Sequence, residues 1–564
     1  MKLLAFLLGL FLCTVPASAQ SYRDRLPQDE VIYFLLPDRF ENGDRSNDRG
    51  GLTGDRMTTG FDPTAKGFYH GGDLKGLIKR LDYIQGLGAT AIWVAPIFKN
   101  QAVRGTPGDE SAGYHGYWVT DFTTVDPHFG TEADFRALVS AAHDRGMKVY
   151  MDIITNHTAD IIRYRECMIC AYRSRADYPG AAYTPYIPSG MEHAKTPDWL
   201  NDISLYHNRG NSTFEGESST MGDFVELDDV KTEDPRAIAG FIQVYGDWID
   251  KYSVDGFRVD TAKHVNPEFW QRFVPAMRAK AKARGIPNFH IFGEIGGIGL
   301  EPGKLAVHTW VAGFPSVLDF AFHQAVVDTV AGPSGTDHLN ELFAGDPLYK
   351  GGAAAAMQLP IWVSNHDNGR IGWFVRKGFP DASDEEILKR VRLAQAMMLT
   401  LRGVPVIYSG DEQGFAGDGW DQDAREDMFA SQTAVYNDNK LIGTASTTAQ
   451  ANFNPRHPLY QFVAQITALR RDHLALRRGK QIVRNYSDKP GLFAVSRIDP
   501  QNGREYLIIF NTANAPLNAN VEIGRTSHGF TSLYGSCPSA PRVKGSLAVS
   551  LPPLEFMICA GSPK

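Results

Sequence analysis

No later stretch of this 564-residue sequence comes near the ~20 consecutive apolar residues that a membrane-spanning helix needs. The apolar run at 3–12 is far too short for that, but it follows Lys2 and precedes Ala17-Ser18-Ala19-Gln20, the pattern of a secretory signal with cleavage expected after Ala19. Cys13 does not make a lipoprotein box, because Leu12 stands where a small residue should precede the cysteine. Basic charge is not in excess either. With 57 Lys and Arg against 64 Asp and Glu, a net charge of −7, no basic surface is available to grip a nucleic-acid backbone or an anionic membrane. An uncharged partner fits better, and the sequence sets no expectation for oligomeric state. Cysteine is scarce at five residues, and without Cys13 an even four remain in an oxidising compartment, enough for two local disulfides. Cys167 and Cys170 form a CxxC, but neither a second CxxC nor a clustered His pair completes a zinc site. There is no internal repeat and no low-complexity tract.

Between about residues 30 and 410, short apolar β-branched runs alternate with amphipathic stretches, as in a parallel sheet wrapped by helices. Eight runs can be counted, at 31–36, 91–94, 148–153, 255–259, 290–293, 316–320, 359–364 and 404–409. Phe135, Leu138, Val139 and Ala142, followed by Gly146, carry helical spacing with one inward face. The fold class expected is α/β, a (β/α)8 barrel. About a hundred residues separate the third run from the fourth, rich in Tyr, Pro, Gly, Asn and Ser, and imply an inserted subdomain after strand 3. From about 475 onward, Ile482-Val483, 492–495, 506–510, 521–523 and 556–558 are strand-like with no convincing helix between them, which indicates a C-terminal antiparallel β domain. The expected division is a signal at 1–19, barrel at 20–156, insertion at 157–228, barrel again at 229–475 and β domain at 476–564.

Functional groups of such barrels sit where strands end, and polar residues are dense there. The third run ends in Asp152, Asn156 and His157; the fourth holds Arg258 and Asp260, followed by Lys263 and His264; the fifth ends at Glu294; the seventh at His366-Asp367. A lone acidic residue at a strand end often just caps the next helix. Arg258, however, lies two residues before Asp260, so period two points both side chains to one face, where a guanidinium keeps a carboxylate ionised. Cleaving an acetal with retention needs one ionised carboxylate to attack and one protonated carboxyl to release the leaving oxygen. Asp260 and Glu294 suit these roles, because neighbouring strands ~4.8 Å apart can bring side chains to the ~5 to 5.5 Å of retaining enzymes. Asp367 could hold sugar hydroxyls and help distort the ring, with His157 and His366 donating hydrogen bonds.

The segments Asp152-Ile-Ile-Thr-Asn156-His157, Gly256-Phe-Arg258-Val-Asp260-Thr-Ala-Lys263-His264, Phe292-Gly293-Glu294 and Ser364-Asn365-His366-Asp367 resemble, in order and spacing, the four sequence regions of the α-amylase family of glycoside hydrolases. Tyr114-His115-Gly116-Tyr117-Trp118 is similar to a further segment lining the sugar site of that family. The likeness covers roughly residues 30 to 480. It implies a secreted or periplasmic enzyme acting on an α-glucan or maltooligosaccharide, with Asp260 as nucleophile, Glu294 as proton donor and Asp367 as transition-state stabiliser. It also implies sugar contacts from His115, Tyr117, His157, Arg258 and His366 at the cleavage point, and from Lys263 and His264 on the leaving side.

Asn42-Gly43-Asp44-Arg45-Ser46-Asn47-Asp48 offers hard oxygen ligands around a Gly turn, a calcium-like arrangement, although Asn, Asp and Gly also favour plain turns. With Gly71-Gly72-Asp73 it resembles an N-terminal calcium site of cyclodextrin glucanotransferases. The resemblance implies a second Ca2+ between barrel and insertion, held by Asn156 and the His264 carbonyl, where Glu226 departs from the family's usual Asp. A transglycosylase would use the same acids. Hydrolysis is expected, because the chain ends after one C-terminal β domain where such transferases usually carry more. Neopullulanases and cyclomaltodextrinases, with their usual extra N-terminal domain, rank lower. A barrel that only binds sugar would be expected to have lost an acid, and all three stand.

Overall fold

The computed structural model of the protein describes residues 22–105 and 108–562; the expected signal segment and Cys13 lie outside the described residues. Among these residues no helix is long and apolar enough to cross a membrane. Eight parallel strands form the central sheet: β1 (Ile32–Leu35), β2 (Ala91–Val94), β3 (Lys148–Ile153), β4 (Gly256–Val259), β5 (His290–Gly293), β6 (Ser316–Val317), β7 (Pro360–Trp362) and β8 (Val404–Tyr408). Their order is β6-β5-β4-β3-β2-β1-β8-β7, so the sheet curls into a nearly closed barrel. The seam between β6 and β7 is bridged by the Asp319 N–H donating to the Pro360 carbonyl at 2.9 Å and by Ser316 Oγ donating to the Gln358 carbonyl at 2.9 Å. All eight expected runs form strands. The sixth is two residues rather than five, because Asp319 turns to cap the helix Phe320–Val326, accepting from the Phe322 N–H.

Every residue of these strands is buried, as strands covered on both faces require. The helix Glu132–Asp144 shows why the sequence pattern works. Thr131 caps it in a reciprocal pair with Asp134, and the four apolar residues of the helical spacing are its buried ones. Register then sets the height of the strand ends. Arg258 lies opposite Asp152 across β3 and β4, and Val259 opposite Gly293 across β4 and β5. The ladder continues one residue further, with Asp260 N–H donating to the Ile153 carbonyl and Glu294 N–H to the Val259 carbonyl, both at 2.9 Å. Residues 260 and 294 therefore leave the barrel at one level.

Small sheets are inserted into this frame. After β3, His157–Thr158 pairs with Asp228–Asp229, and Arg163–Tyr164 with Pro185–Tyr186. A second excursion, not expected, follows β2: Phe98–Asn100 pairs with Val119–Val125 and Val103–Arg104 with Ser111–Ala112. Disulfides join Cys167 to Cys170 and Cys537 to Cys559.

The C-terminal part is an antiparallel sheet of β9 (Lys480–Asn485), β10 (Leu492–Ile498), β11 (Glu505–Asn511), β15 (Phe556–Gly561) and β13 (Phe530–Tyr534), with β12 (Leu517–Glu522) paired to β14 (Ser546–Leu551). Strands β13 and β14 were not expected. Alternation assigns the faces of the larger sheet. Phe493, Val495, Ile508, Phe510, Phe556 and Ile558 join the barrel's core, while Ala494, Leu507, Ile509 and Met557 pack against Leu547, Val549 and Leu551 from the smaller pair.

Candidate active site

Arg258 organises the floor. Its guanidinium is 1% exposed, and Nη1 donates to Asp152 Oδ1 at 2.8 Å and to Asp260 Oδ1 at 2.9 Å, while Nη2 lies 2.8 Å from Glu294 Oε2. Glu294 Oε2 also accepts the Thr261 N–H at 2.9 Å. Thr261 adopts φ 45°, a left-handed conformation rare for a β-branched residue, at the turn that aims this donor. Asp152 is held from its other side, with Oδ2 accepting from Trp93 Nε1 at 3.0 Å and Tyr117 Oη at 3.1 Å. One cation thus faces three carboxyl groups from three adjacent strands.

Burial pushes the Asp260 carboxyl up to about 7; the Arg258 charge opposes this, and Asp152 and Asp367 add to it. Glu294 is raised for the same reasons, burial first, with Arg258 opposing and Asp260 and Asp367 reinforcing. Asp152 and Asp367 thus raise Asp260 while Asp260 and Asp367 raise Glu294, so the carboxyl groups gathered beside one guanidinium resist full ionisation.

Asp367 is reached from another direction. Arg425 Nη2 lies 3.0 Å from its Oδ1, and the same arginine donates to the His366 carbonyl at 3.0 Å and to Tyr114 Oη at 3.1 Å. Arg425 was not picked out of the sequence, nor was Tyr114 given a role. Arg425 sits in an irregular stretch beyond β8 with no periodicity to mark it. His366 Nε2 lies 2.9 Å from Tyr117 Oη and 3.3 Å from Asp367 Oδ2. Burial lowers the pKa of His366, and that of His157 to about 3, so both rings are neutral. The Asn156 amide donating to His157 Nδ1 at 3.2 Å leaves His157 Nε2–H to donate to the Tyr117 carbonyl at 3.3 Å. His115 Nδ1 accepts the Tyr117 N–H, and its ring lies nearly parallel to Tyr117.

Asp260, Glu294 and Asp367 open together into one cleft of about 630 Å³, lined also by His115, Tyr117, His157, Trp118 and Phe224. Other expected sugar contacts lie elsewhere. Arg258 and His366 are 1% exposed and stand behind the cleft floor, their polar atoms turned to the acids. Lys263 and His264 do not line the cleft: Lys263 Nζ donates to the Gly296 carbonyl at 2.7 Å, and His264 is turned to Ser219.

Part of the expected calcium loop gathers as read. Asn42 and Asn47 each bury a side-chain oxygen that has no hydrogen-bond partner. Gly71, at φ 95°, leaves the space that a Cβ would fill 2.7 Å from Asn42 Nδ2 and Asp48 Oδ1. Two of the named residues are otherwise engaged. Asp44 turns to Lys75 and Ser46, and Asp73 caps the helix Leu74–Lys79 while accepting N–H groups from Gly43 and Asp44. Between barrel and insertion, Asn156 Oδ1 is likewise buried without a partner, whereas Glu226 pairs with Arg104 at 3.1 Å. Among the described residues no group of three or more His, Cys, Asp or Glu side chains forms a metal cluster, so any cation at the 42–48 loop would combine the Asn42 and Asn47 amide oxygens with the neighbouring Asp48 carboxylate.

Residues 34–479 match the family described as Alpha amylase, catalytic domain. The chain is 44% identical over 534 residues to an alpha-amylase of Streptomyces lividans, covering 90% of this chain and 58% of that protein, so it spans little more than half the length of this relative. An alpha-amylase from Geobacillus thermoleovorans, solved with acarbose, superposes with a TM-score of 0.71 at 25% identity over 96% of this chain and 100% of the other. A cyclomaltodextrin glucanotransferase with a three-domain ABC distribution superposes with a TM-score of 0.73 at 25% identity, covering 95% and 99%. That last likeness shows a three-domain ABC distribution in a glucanotransferase as well, so domain count alone does not separate hydrolysis from transfer. With its strand ends, arginine and acids in this order, and a match over most of its length, the chain belongs to the alpha-amylase family.

Proposed function

We propose that the protein hydrolyses α-1,4-glucosidic bonds of starch-like glucans with retention, and the observation that carries this is Arg258 holding Asp260 and Glu294 together at the floor of an open cleft. Asp260 attacks the anomeric carbon while Glu294 passes its proton to the leaving oxygen, which gives a glycosyl-aspartate. Glu294, now ionised, takes a proton from water, and the hydroxide formed displaces Asp260. Asp367, anchored by Arg425, holds hydroxyls of the ring as positive charge grows on it. The acarbose complex of the Geobacillus relative supports an α-glucan substrate. Reducing sugar is expected from soluble starch, with kcat reduced about 10²- to 10⁴-fold in Glu294→Gln; equal traces for the two proteins would end this reading.

The glucanotransferase likeness keeps transfer as a second reading. Chromatography of early maltoheptaose products separates the two, since cyclic or lengthened products mark transfer. Two disulfides and the N-terminal signal pattern support export. The buried, unpartnered oxygens of Asn42 and Asn47 beside Asp48 suit Ca2+, which would supply a positive charge tying the loop after β1 to the Gly71 turn. A calcium concentration 100-fold above Kd stabilises by about 2.7 kcal/mol, so a chelator should lower Tm and added Ca2+ restore it, with Asp48→Asn insensitive to both.

A further inference from the structure

A second cavity, of about 320 Å³, opens beside the catalytic cleft and is not used by the mechanism above. The two are neighbours through consecutive residues: Asp367 and Asp421 line the cleft, Asn368 and Trp420 the cavity. Backbone fixes this partition, because the Asp421 N–H donates to the Asp367 carbonyl at 3.0 Å and Asp421 sits at φ 54°. On the opposite wall, Glu294 faces the cleft and Gly297, three residues on, faces the cavity.

The lining has the make-up of a sugar site. Trp420 is 69% exposed and stands at the rim, and Trp373, Phe374 and Phe320 supply further aromatic surface. His323 adds an imidazole to the wall. It is only 6% exposed and stacks on Trp362 with centroids 4.0 Å apart, yet its Nδ1 has no hydrogen-bond partner. A buried ring nitrogen without a partner is costly unless something fills the need. Burial keeps this ring neutral, with a backbone hydrogen bond to Val363 opposing it. Asn368 Oδ1 accepts from Asn365 Nδ2 at 3.1 Å, and Asn368 itself lines the cavity, adding an amide to its wall.

We propose that this cavity is a second glucosyl-binding site, which takes the arm of a branched α-glucan while the main chain lies in the catalytic cleft. A linear chain needs one continuous groove; a cavity that meets the groove beside the acids has the shape of a fork. Trp420 and Trp373 are then specificity-determining residues, and the inference rests on the hydrolytic reading given above.

The test compares kcat/KM on linear maltoheptaose with kcat/KM on an α-1,6-branched limit dextrin, for wild type, Trp420→Ala and Trp373→Leu. Trp420 is exposed, so its loss leaves the fold intact. Expected is a fall of about tenfold on the branched substrate, the worth of one aromatic contact, with the linear value held within about twofold. If both substrates fall equally, or neither falls, the cavity is no fork and the proposal is overturned. If wild type leaves maltoheptaose uncut, it is the hydrolytic reading that fails. Binding to Glu294→Gln, followed by tryptophan fluorescence, gives a readout free of turnover: the branched dextrin should perturb it more strongly than maltoheptaose, and the difference should vanish in Glu294→Gln carrying Trp420→Ala.

Discussion

At the scale of single residues, the site depends on one guanidinium shared among carboxyl groups whose pKa values burial has raised. On the proposed mechanism Asp260 attacks in its ionised form, so activity should fall as pH drops below its value of about 7. On the same mechanism Glu294 carries the proton, so activity should fall again as pH rises past its own raised value. A narrow bell in kcat/KM centred near neutrality is the expected profile. On an aryl maltoside with a good leaving group, Glu294→Gln should keep the acid limb and lose the alkaline one; survival of both limbs would mean that Glu294 is not the group titrating. The acids themselves were legible in the sequence, because Asp260 and Glu294 stand directly after recognisable strands, Asp367 a few residues after another, and Arg258 precedes Asp260 by the two residues that put them on one face. Arg425 and the inward turn of Lys263 and His264 were not. Arg425 arrives on irregular backbone, and Lys263 and His264 on a single short turn of 3-10 helix at Ala262–His264, neither long enough for a period to tie position in the chain to position in space.

At the scale of elements, β1, the helix Leu81–Gly86 and the turn after β8 are fastened by one buried carboxyl. Glu412 Oε1 accepts from Tyr33 and Tyr83, both at 2.8 Å, and Oε2 accepts the Gly410 N–H at 3.0 Å. Burial pushes Glu412 up to about 7, against 4.5 for the free side chain. A native pKa above the unfolded one means that the folded state holds the proton more tightly. Its stabilisation is therefore complete at pH values below the free pKa and is lost as pH rises towards 7, a difference on the order of 3 kcal/mol. Glu412→Gln removes this titration, so Tm of the variant minus Tm of wild type should be more positive at pH 8 than at pH 5; a constant difference across that range would contradict the assignment. The barrel strands were readable because runs buried on both faces stay apolar throughout. Strand β6 was over-read where Asp319 converts the end of its run into a helix cap. Strand β14 was overlooked although Leu547, Val549 and Leu551 alternate as an edge-facing strand should, and the excursion after β2 was hidden because three of its four strands are only two or three residues long.

At the scale of the whole molecule, the C-terminal sheet is part of the barrel's core and not an appendage. Phe493 lies parallel to Phe343, and Phe556 meets Phe462 edge-on. Arg497 donates to the Thr400 carbonyl at 2.9 Å. A chain ending at residue 479 would uncover this apolar face, and it should aggregate in light scattering where the full chain stays monodisperse; a soluble, fully active fragment would show the interface to be dispensable. The order of the parts along the chain was legible from composition and strand spacing, but the way the last sheet shares one core with the barrel was not, because alternation within a strand says that two faces exist and not what each will meet. The seam at β6 and β7 has a consequence of its own. Seven ladders carry the load of the hoop, and the clasp needs only Asp319 and Ser316 reaching across it. Segments flanking the clasp, Phe320 and Asn368 among them, can lengthen, shorten or change residue without shifting the registers that level Asp260 with Glu294, so what the enzyme accepts can drift while how it cuts stays put.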